Sequence, residues 1–311
     1  MSAAERQGTA ESRAGWTRAA LPYLLLVLAN LFWAGNWVTG RAVRDLLPPF
    51  ALNFWRWLPA LLLMAPFALP GLVGKGRVIR RELPLILLLG FLGVAVYTTL
   101  VYFGLRGTTA VNAALLNSSI PVFMLLASWI MERERATARQ IAGVVVSFAG
   151  ILVIMKRGEL GTLLSFELHP GDGFILAAVP AWAVYSVLLK RRPPELGAIP
   201  LLFLVGAAGT AMLLPFVVLE AVLWRAPQVT PGSLGAIAYL AVFASFGAYA
   251  CWNRAVAELG ANIASFSMHL LPAFGTVLAI VFLGESVHWF HIAGLATILC
   301  GVWLATAGRR R

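Results

Sequence analysis

The residues of this 311-residue chain that could do chemistry are suited to holding a small solute rather than to breaking a bond. Between Leu28 and Gly40, the residues Asn30, Trp33, Asn36, Trp37 and Gly40 recur at helical i, i+3, i+4 spacing, so one face of a helix is aromatic and amide-bearing. The pattern returns at an offset of 149, where Ala178, Trp182, Ala183 and Val187 match Ala29, Trp33, Ala34 and Val38, and Tyr185 stands where the first copy has Asn36. Tyr97, Thr98 and Tyr102 share one apolar run, and Tyr249 lies on a later, similar run. Asn117 and Ser118 precede Pro121, as Ser267 and His269 precede Pro272. Indole and phenol rings stack apolar groups, and amides and hydroxyls meet a solute's polar end. The same residue types also serve helix packing and interfacial belts, so a purely structural reading stands beside the binding one.

Arg56 is the one basic residue placed well inside an apolar run. An embedded ionisable group is a candidate gate or carboxylate contact. With Trp55 and Trp57 beside it and a boundary two turns away, it can equally snorkel as an anchor. His269 reads as a hydrogen-bonded interior residue or as a proton carrier. No nucleophile with a base accompanies these residues, which excludes an enzyme. Glu285, His288 and His291 drift around a helix instead of sharing a face, and the two cysteines, Cys251 and Cys300, fall inside apolar runs. No metal, disulfide or cofactor is therefore expected.

The elements that must position these groups are membrane helices. Hydrophobic residues make up 60% of the chain and charged ones 12%, with a mean hydropathy of +0.84. Ten runs approach the length that crosses a hydrocarbon core: 20–40, 50–70, 83–105, 110–131, 138–156, 172–190, 198–223, 235–255, 261–283 and 289–307. With the N-terminus in the cytoplasm, cytoplasmic segments hold 17 Lys and Arg and the opposite side 6, Arg56 completing the 24. Both termini are therefore expected inside, and the net charge of +11 marks topology rather than a nucleic-acid partner. The first run is too long for a signal peptide and is expected to be retained.

The chain is also duplicated. At an offset of 151, Ala110/Ala261, Ala113/Ala264, Pro121/Pro272, Glu134/Glu285, Gly143/Gly294 and Gly150/Gly301 are identical pairs. The expected organisation is a disordered N-terminus over 1–19, a first five-helix repeat over 20–156, a linker over 157–171, a second repeat over 172–307 and a basic tail over 308–311. Five crossings are an odd number, so the second copy enters the membrane upside down, as in transporters whose halves rock around a midplane site. Pro121 and Pro272 then become candidate hinges within kinked helices. Gly143, Ser147, Gly150, Gly294, Thr297 and Gly301 let backbones approach closely. Glu134 and Glu285 are expected to cap the helices that follow them.

The stretch Trp33-Ala-x-Asn36, together with Arg56, Pro121 and Glu134, and their echoes Trp182-Ala, Pro272 and Gly284-Glu285, resembles the EamA repeat of the drug/metabolite transporter superfamily. The likeness covers about residues 22–156 and 171–307, and within the superfamily it is greatest to YddG-type exporters of aromatic and other amino acids. It implies ten transmembrane helices around a central cavity and a place in the bacterial inner membrane. Arg56 departs from the pattern, since Pro200 to Gly209 in the second copy is uncharged. The 13 acidic residues lie in tails, loops or span ends, with Glu220 the most embedded. The lack of a mid-membrane carboxylate argues against proton-coupled cation export. The expected function is alternating-access export of neutral or zwitterionic metabolites, amino acids above all. Lipophilic drugs, nucleobases and sugars are alternatives, and a non-transport scaffold a distant one. The expected partners are a small-molecule substrate and membrane lipids, with the chain monomeric.

Overall fold

The computed structural model describes residues 3–108, 113, 116–117, 119–156, 170–283 and 288–306. Helix α1 is Ala3–Ala42, helical well upstream of its apolar part. Next come α2, Pro49–Ala68, and a long helix made of α3 (Gly76–Leu89), a π-helical segment Gly90–Val96 and α4 (Tyr97–Gly107). Helices α5 (Ile120–Glu132) and α6 (Ala138–Met155) complete the first half. The second half contains α7 (Asp172–Leu188), α8 (Ala198–Leu223), and a long helix of α9 (Pro231–Tyr239), a π-helical segment Leu240–Gly247 and α10 (Ala248–Leu259). It ends with α11 (Ala261–Phe266), a 3-10 turn Ser267–His269, α12 (Leu270–Leu283) and α13 (Trp289–Thr306). Among the described residues there is no strand.

Among the described residues six helices are long and apolar enough to cross a membrane: Ala20–Ala42, Pro49–Leu72, Gly76–Gly107, Asp172–Arg191, Ala198–Leu223 and Pro231–Leu259. Ile120–Glu132, Ala138–Val153 and Ile292–Ala305 are shorter apolar helices. The matched prolines stand near the start of two helical segments. Pro121 sits in the first turn of α5, where a missing N–H costs no hydrogen bond. Pro272 likewise sits at the start of α12, after the 3-10 turn. Both prolines thus lie in the first turn of a helical segment.

Polarity is arranged for lipid outside and polar groups inside. Leu62, Phe67, Val222 and Leu223 face outward. The largest fully buried side chains are instead Trp57, Trp182, Trp252, Arg56, Tyr185 and Tyr249.

Equivalent positions of the two halves repeatedly touch. Ser147 Oγ donates to the carbonyl of Ile298, 151 residues later, across a 3.2 Å contact. A Cβ on Gly143 would lie 2.7 Å from Gly301 O, and one on Gly150 would lie 2.7 Å from Gly294 O. As numbers rise along α6 they fall along α13, so this pair packs antiparallel with glycine opposite glycine.

The loop ends are tied by ion pairs. Glu134 accepts from Lys190 Nζ at 2.8 Å and from Asn262 Nδ2 at 3.1 Å, and Arg191 pairs with Glu132 at 3.1 Å. The expected capping of α6 by Glu134 is thus replaced. A reciprocal capping box does that work, with Gln140 N donating to Thr137 Oγ1 (3.2 Å) and Thr137 N to Gln140 Oε1 (2.9 Å). Glu285 lies outside the described residues.

Candidate functional site

The long helices carry their π-helical segments at matching places, Gly90–Val96 and Leu240–Gly247. A π turn closes i→i+5 bonds, widens the helix and leaves a carbonyl for another donor. Tyr249 OH donates to Gly93 O at 2.5 Å, and Asn53 Nδ2 to Val94 O at 2.7 Å. In the other segment Trp33 Nε1 donates to Ala244 O at 3.2 Å. Gly93 and Ala244 are 151 residues apart, and each takes its bond from a ring of the opposite half. Tyr249→Phe leaves the buried Gly93 carbonyl without this donor. It is expected to lower unfolding free energy by about 1–3 kcal/mol, read as a lower melting temperature in detergent; an unchanged value would show the bond to be dispensable.

The two π-helical segments frame an aromatic cluster at the centre of the bundle. The Trp33 and Trp182 rings meet edge to face with centroids 5.1 Å apart. Trp182 also packs on Tyr97 (4.7 Å), Tyr185 (5.1 Å), Tyr249 (5.5 Å) and Trp252 (5.6 Å). Thr98 Oγ1 and Tyr249 OH, another pair 151 apart, lie 3.4 Å from each other.

Beside this cluster Arg56 is 1% exposed. Its Nε donates to Ser245 Oγ at 2.6 Å, and its Nη1 to Asn36 Oδ1 (2.9 Å) and Tyr102 OH (2.8 Å). Tyr102 OH in turn donates to Asn36 Oδ1 at 2.7 Å. Snorkelling is therefore not what Arg56 does. Helix α2 turns Arg56 and Trp57 into the bundle and leaves Trp55 facing out at 40% exposure.

Rings and polar network together line a small cavity. Of the residues singled out in the sequence, Trp33, Asn36, Arg56, Tyr97, Thr98, Trp182 and Tyr249 line it. Tyr102 stands behind Asn36 and Arg56. Tyr185 is stacked behind Trp182 with its OH donating to Asn253 Oδ1 at 2.9 Å. Asn117 accepts from Tyr97 OH at 3.1 Å. Ser267 and His269 do not line the cavity. Ser267 accepts from Asn30 Nδ2 at 2.9 Å and donates to Ala264 O, which anchors the 3-10 turn to α1, and His269 is fully buried at the end of that turn. Ser118 lies outside the described residues. Trp37, Val101 and Leu271 line the cavity as well. Trp37 was visible on the first helical face, four residues beyond Trp33, whereas Val101 and Leu271 carry no signal that separates them from ordinary apolar residues.

The lining is aromatic, amide and hydroxyl, with one permanent positive charge and no carboxylate. Such a wall can bind and orient a solute of modest size but supplies no acid–base or nucleophilic pair. Among the described residues no three His, Cys, Asp or Glu side chains gather as for a metal ion.

Known proteins agree with this arrangement. A solved crystal structure superposes with a TM-score of 0.72 at 21% identity, covering 93% of this chain and 96% of the other, a likeness of fold. An uncharacterized transporter of Archaeoglobus fulgidus is 31% identical over 289 residues, covering 92% of this chain and 97% of its own. A probable terminal-alkyne amino-acid exporter of Streptantibioticus cattleyicolor is 30% identical over 289 residues, covering 92% and 94%. The transporter YyaM of Bacillus subtilis is 24% identical over 289 residues, covering 91% and 93%. The model of the EamA-like transporter family matches residues 20–156 and 169–307. With six helices among the described residues able to cross a membrane and a central aromatic cavity, this chain is a multi-pass membrane transporter, not an enzyme, and belongs to the EamA-like transporter family.

Proposed function

We propose that this chain exports small neutral or zwitterionic metabolites by alternating access, and that amino acids, aromatic ones included, are its substrates. The observation that carries the reading is the cavity itself, where Trp33 and Trp182 from opposite halves meet beside Tyr97, Tyr249, Thr98 and Asn36. Flat rings accept an apolar side chain, and the amide and hydroxyl groups serve the polar end. A relative of nearly equal length carries the name of a probable terminal-alkyne amino-acid exporter, which supports amino acids as the substrate class.

The mechanism in this reading is a rocking of two five-helix halves of opposite orientation, ten spans in all, in a bacterial inner membrane with both termini cytoplasmic. Contacts between equivalent positions support it: Trp33 with Trp182, Thr98 with Tyr249, Ser147 with Ile298, and the reciprocal pairs Gly143–Gly301 and Gly150–Gly294. Equivalent residues touch only near a twofold axis, and antiparallel equivalent helices put that axis across the helices, in the membrane plane. The ion pairs of Lys190 with Glu134 and Arg191 with Glu132 hold one end of the bundle together, and in this reading they part when the halves rock.

Reconstituted into liposomes, the protein is expected to catalyse saturable exchange of labelled phenylalanine, tryptophan, threonine or methionine, compared with and without an imposed pH gradient. Failure of all four to move would overturn the amino-acid reading.

A further inference from the structure

We infer that the cavity is an anion subsite: Arg56 holds the carboxylate of the substrate, and transport selects solutes with a free carboxylate. The inference rests on the reading of this cavity as the transport site and narrows its substrate class.

The guanidinium has five N–H donors and stays charged at any physiological pH. Three of the five are used, by Ser245 Oγ, Asn36 Oδ1 and Tyr102 OH. All three acceptors are neutral. The other two donors, on Nη2, are buried without a partner. Among the described residues no Asp or Glu pairs with Arg56. A buried, permanently charged group with neutral neighbours and open donors is costly on its own, and its cost falls when an anion completes it. Because this arginine lines the cavity, the completing anion can be a solute.

Further donors point the same way. Trp182, on the same cavity wall, has a buried indole Nε1–H that also lacks a partner. Asn36 spends its Oδ1 on Arg56 and Tyr102, which leaves its amide N–H group as the side facing a ligand. Trp57 Nε1 is also unpaired, but Trp57 is not part of the lining. The cavity therefore carries a surplus of donors with a single positive charge. That matches a planar, singly charged acceptor with two oxygens, which the arginine fork meets in bidentate fashion. A phosphate dianion would bring a second charge with no second cation in the lining to meet it. In a zwitterion the ammonium is left to the π faces of Trp33, Trp182 and Tyr97.

The test uses the purified full-length protein and three ligands of one shape: 3-phenylpropionate, 3-phenylpropionamide and phenethylamine, with sodium chloride at matched ionic strength. Ligand-induced thermal stabilisation is expected for the carboxylate, with apparent affinity about 10- to 100-fold above that of amide and amine, the range of charge-assisted hydrogen bonds. Arg56→Gln is expected to erase that ratio and Arg56→Lys to retain part of it. If Arg56→Gln does not fold, the wild-type ratio and Arg56→Lys decide. Equal affinity for acid and amide in the wild type, a preference surviving in Arg56→Gln, or equal stabilisation by chloride overturns the inference. Labelled phenylalanine exchange separates the two proposals. A carboxylate preference with no amino acid moved removes the amino-acid reading alone, whereas amino acids moved without an acid-over-amide preference remove only the role of Arg56.

Discussion

Trp182→Ala is expected to lose most transport and much of the protein's stability together. The indole is fully buried and touches the rings of Trp33, Tyr97, Tyr185, Tyr249 and Trp252 at centroid separations of 4.7 to 5.6 Å. Truncating a buried tryptophan typically costs about 3–5 kcal/mol, because the transfer energy is lost and the neighbours collapse only in part. Here the void would open directly into the cavity, so Tyr97 and Tyr249 would lose the surface that orients them and a bound solute its wall. Initial rates in proteoliposomes are expected to fall at least tenfold, about 1.4 kcal/mol in a binding equilibrium, with a lowered melting temperature in detergent. Trp182→Phe keeps a ring and should recover most of the stability while losing the indole N–H. If Trp182→Ala folds and transports like the wild type, Trp182 is not a wall of the site.

Gly150→Val is expected to cost about 1–3 kcal/mol by overpacking, and Gly143→Val to cost the same within measurement. A Cβ on Gly150 would lie 2.7 Å from Gly294 O and 2.8 Å from Ile298 N. On Gly143 it would lie 2.5 Å from Ala305 Cβ and 2.7 Å from Gly301 O. In both cases the obstacle includes backbone of α13, which cannot swing away as a side-chain tip can, so the helices must separate. Close approach of this kind is what holds helices together where lipid is as apolar as the side chains. Two glycines that meet backbone of the same helix at the same distance should give matching losses of melting temperature, whereas a large cost at one and none at the other would show that α13 yields at one of the two contacts.

Much of this organisation is legible in the amino-acid order because it depends on local and periodic properties. Apolar run length marks the helices, and the offsets of 149 and 151 pair positions before any contact is known. That pairing predicts Trp33 and Trp182 as opposed residues, and their rings lie 5.1 Å apart. The prolines are different. Pro121 and Pro272 are visible as matched residues, but whether a proline kinks a helix or starts one depends on whether the preceding turn keeps its hydrogen bonds. In the second copy that turn is a 3-10 segment, with Ser267 bonded to Asn30 on a distant helix. The polar residues ahead of Pro272 thereby become part of the scaffold instead of the cavity.

What the sequence by itself determined is a duplicated, all-helical membrane chain with an aromatic face in each half, because hydrophobic length and repeat register are written along the chain. Only the tertiary structure decided which way Arg56 points, that π-helical segments at Gly90–Val96 and Leu240–Gly247 offer carbonyls to Tyr249 and Trp33, and which polar groups reach the cavity. The physical reason is partnership at long range. The Arg56 guanidinium is held inward by Asn36, Tyr102 and Ser245, residues 20, 46 and 189 positions away. No window of sequence around Arg56 contains the acceptors that outweigh snorkelling toward water.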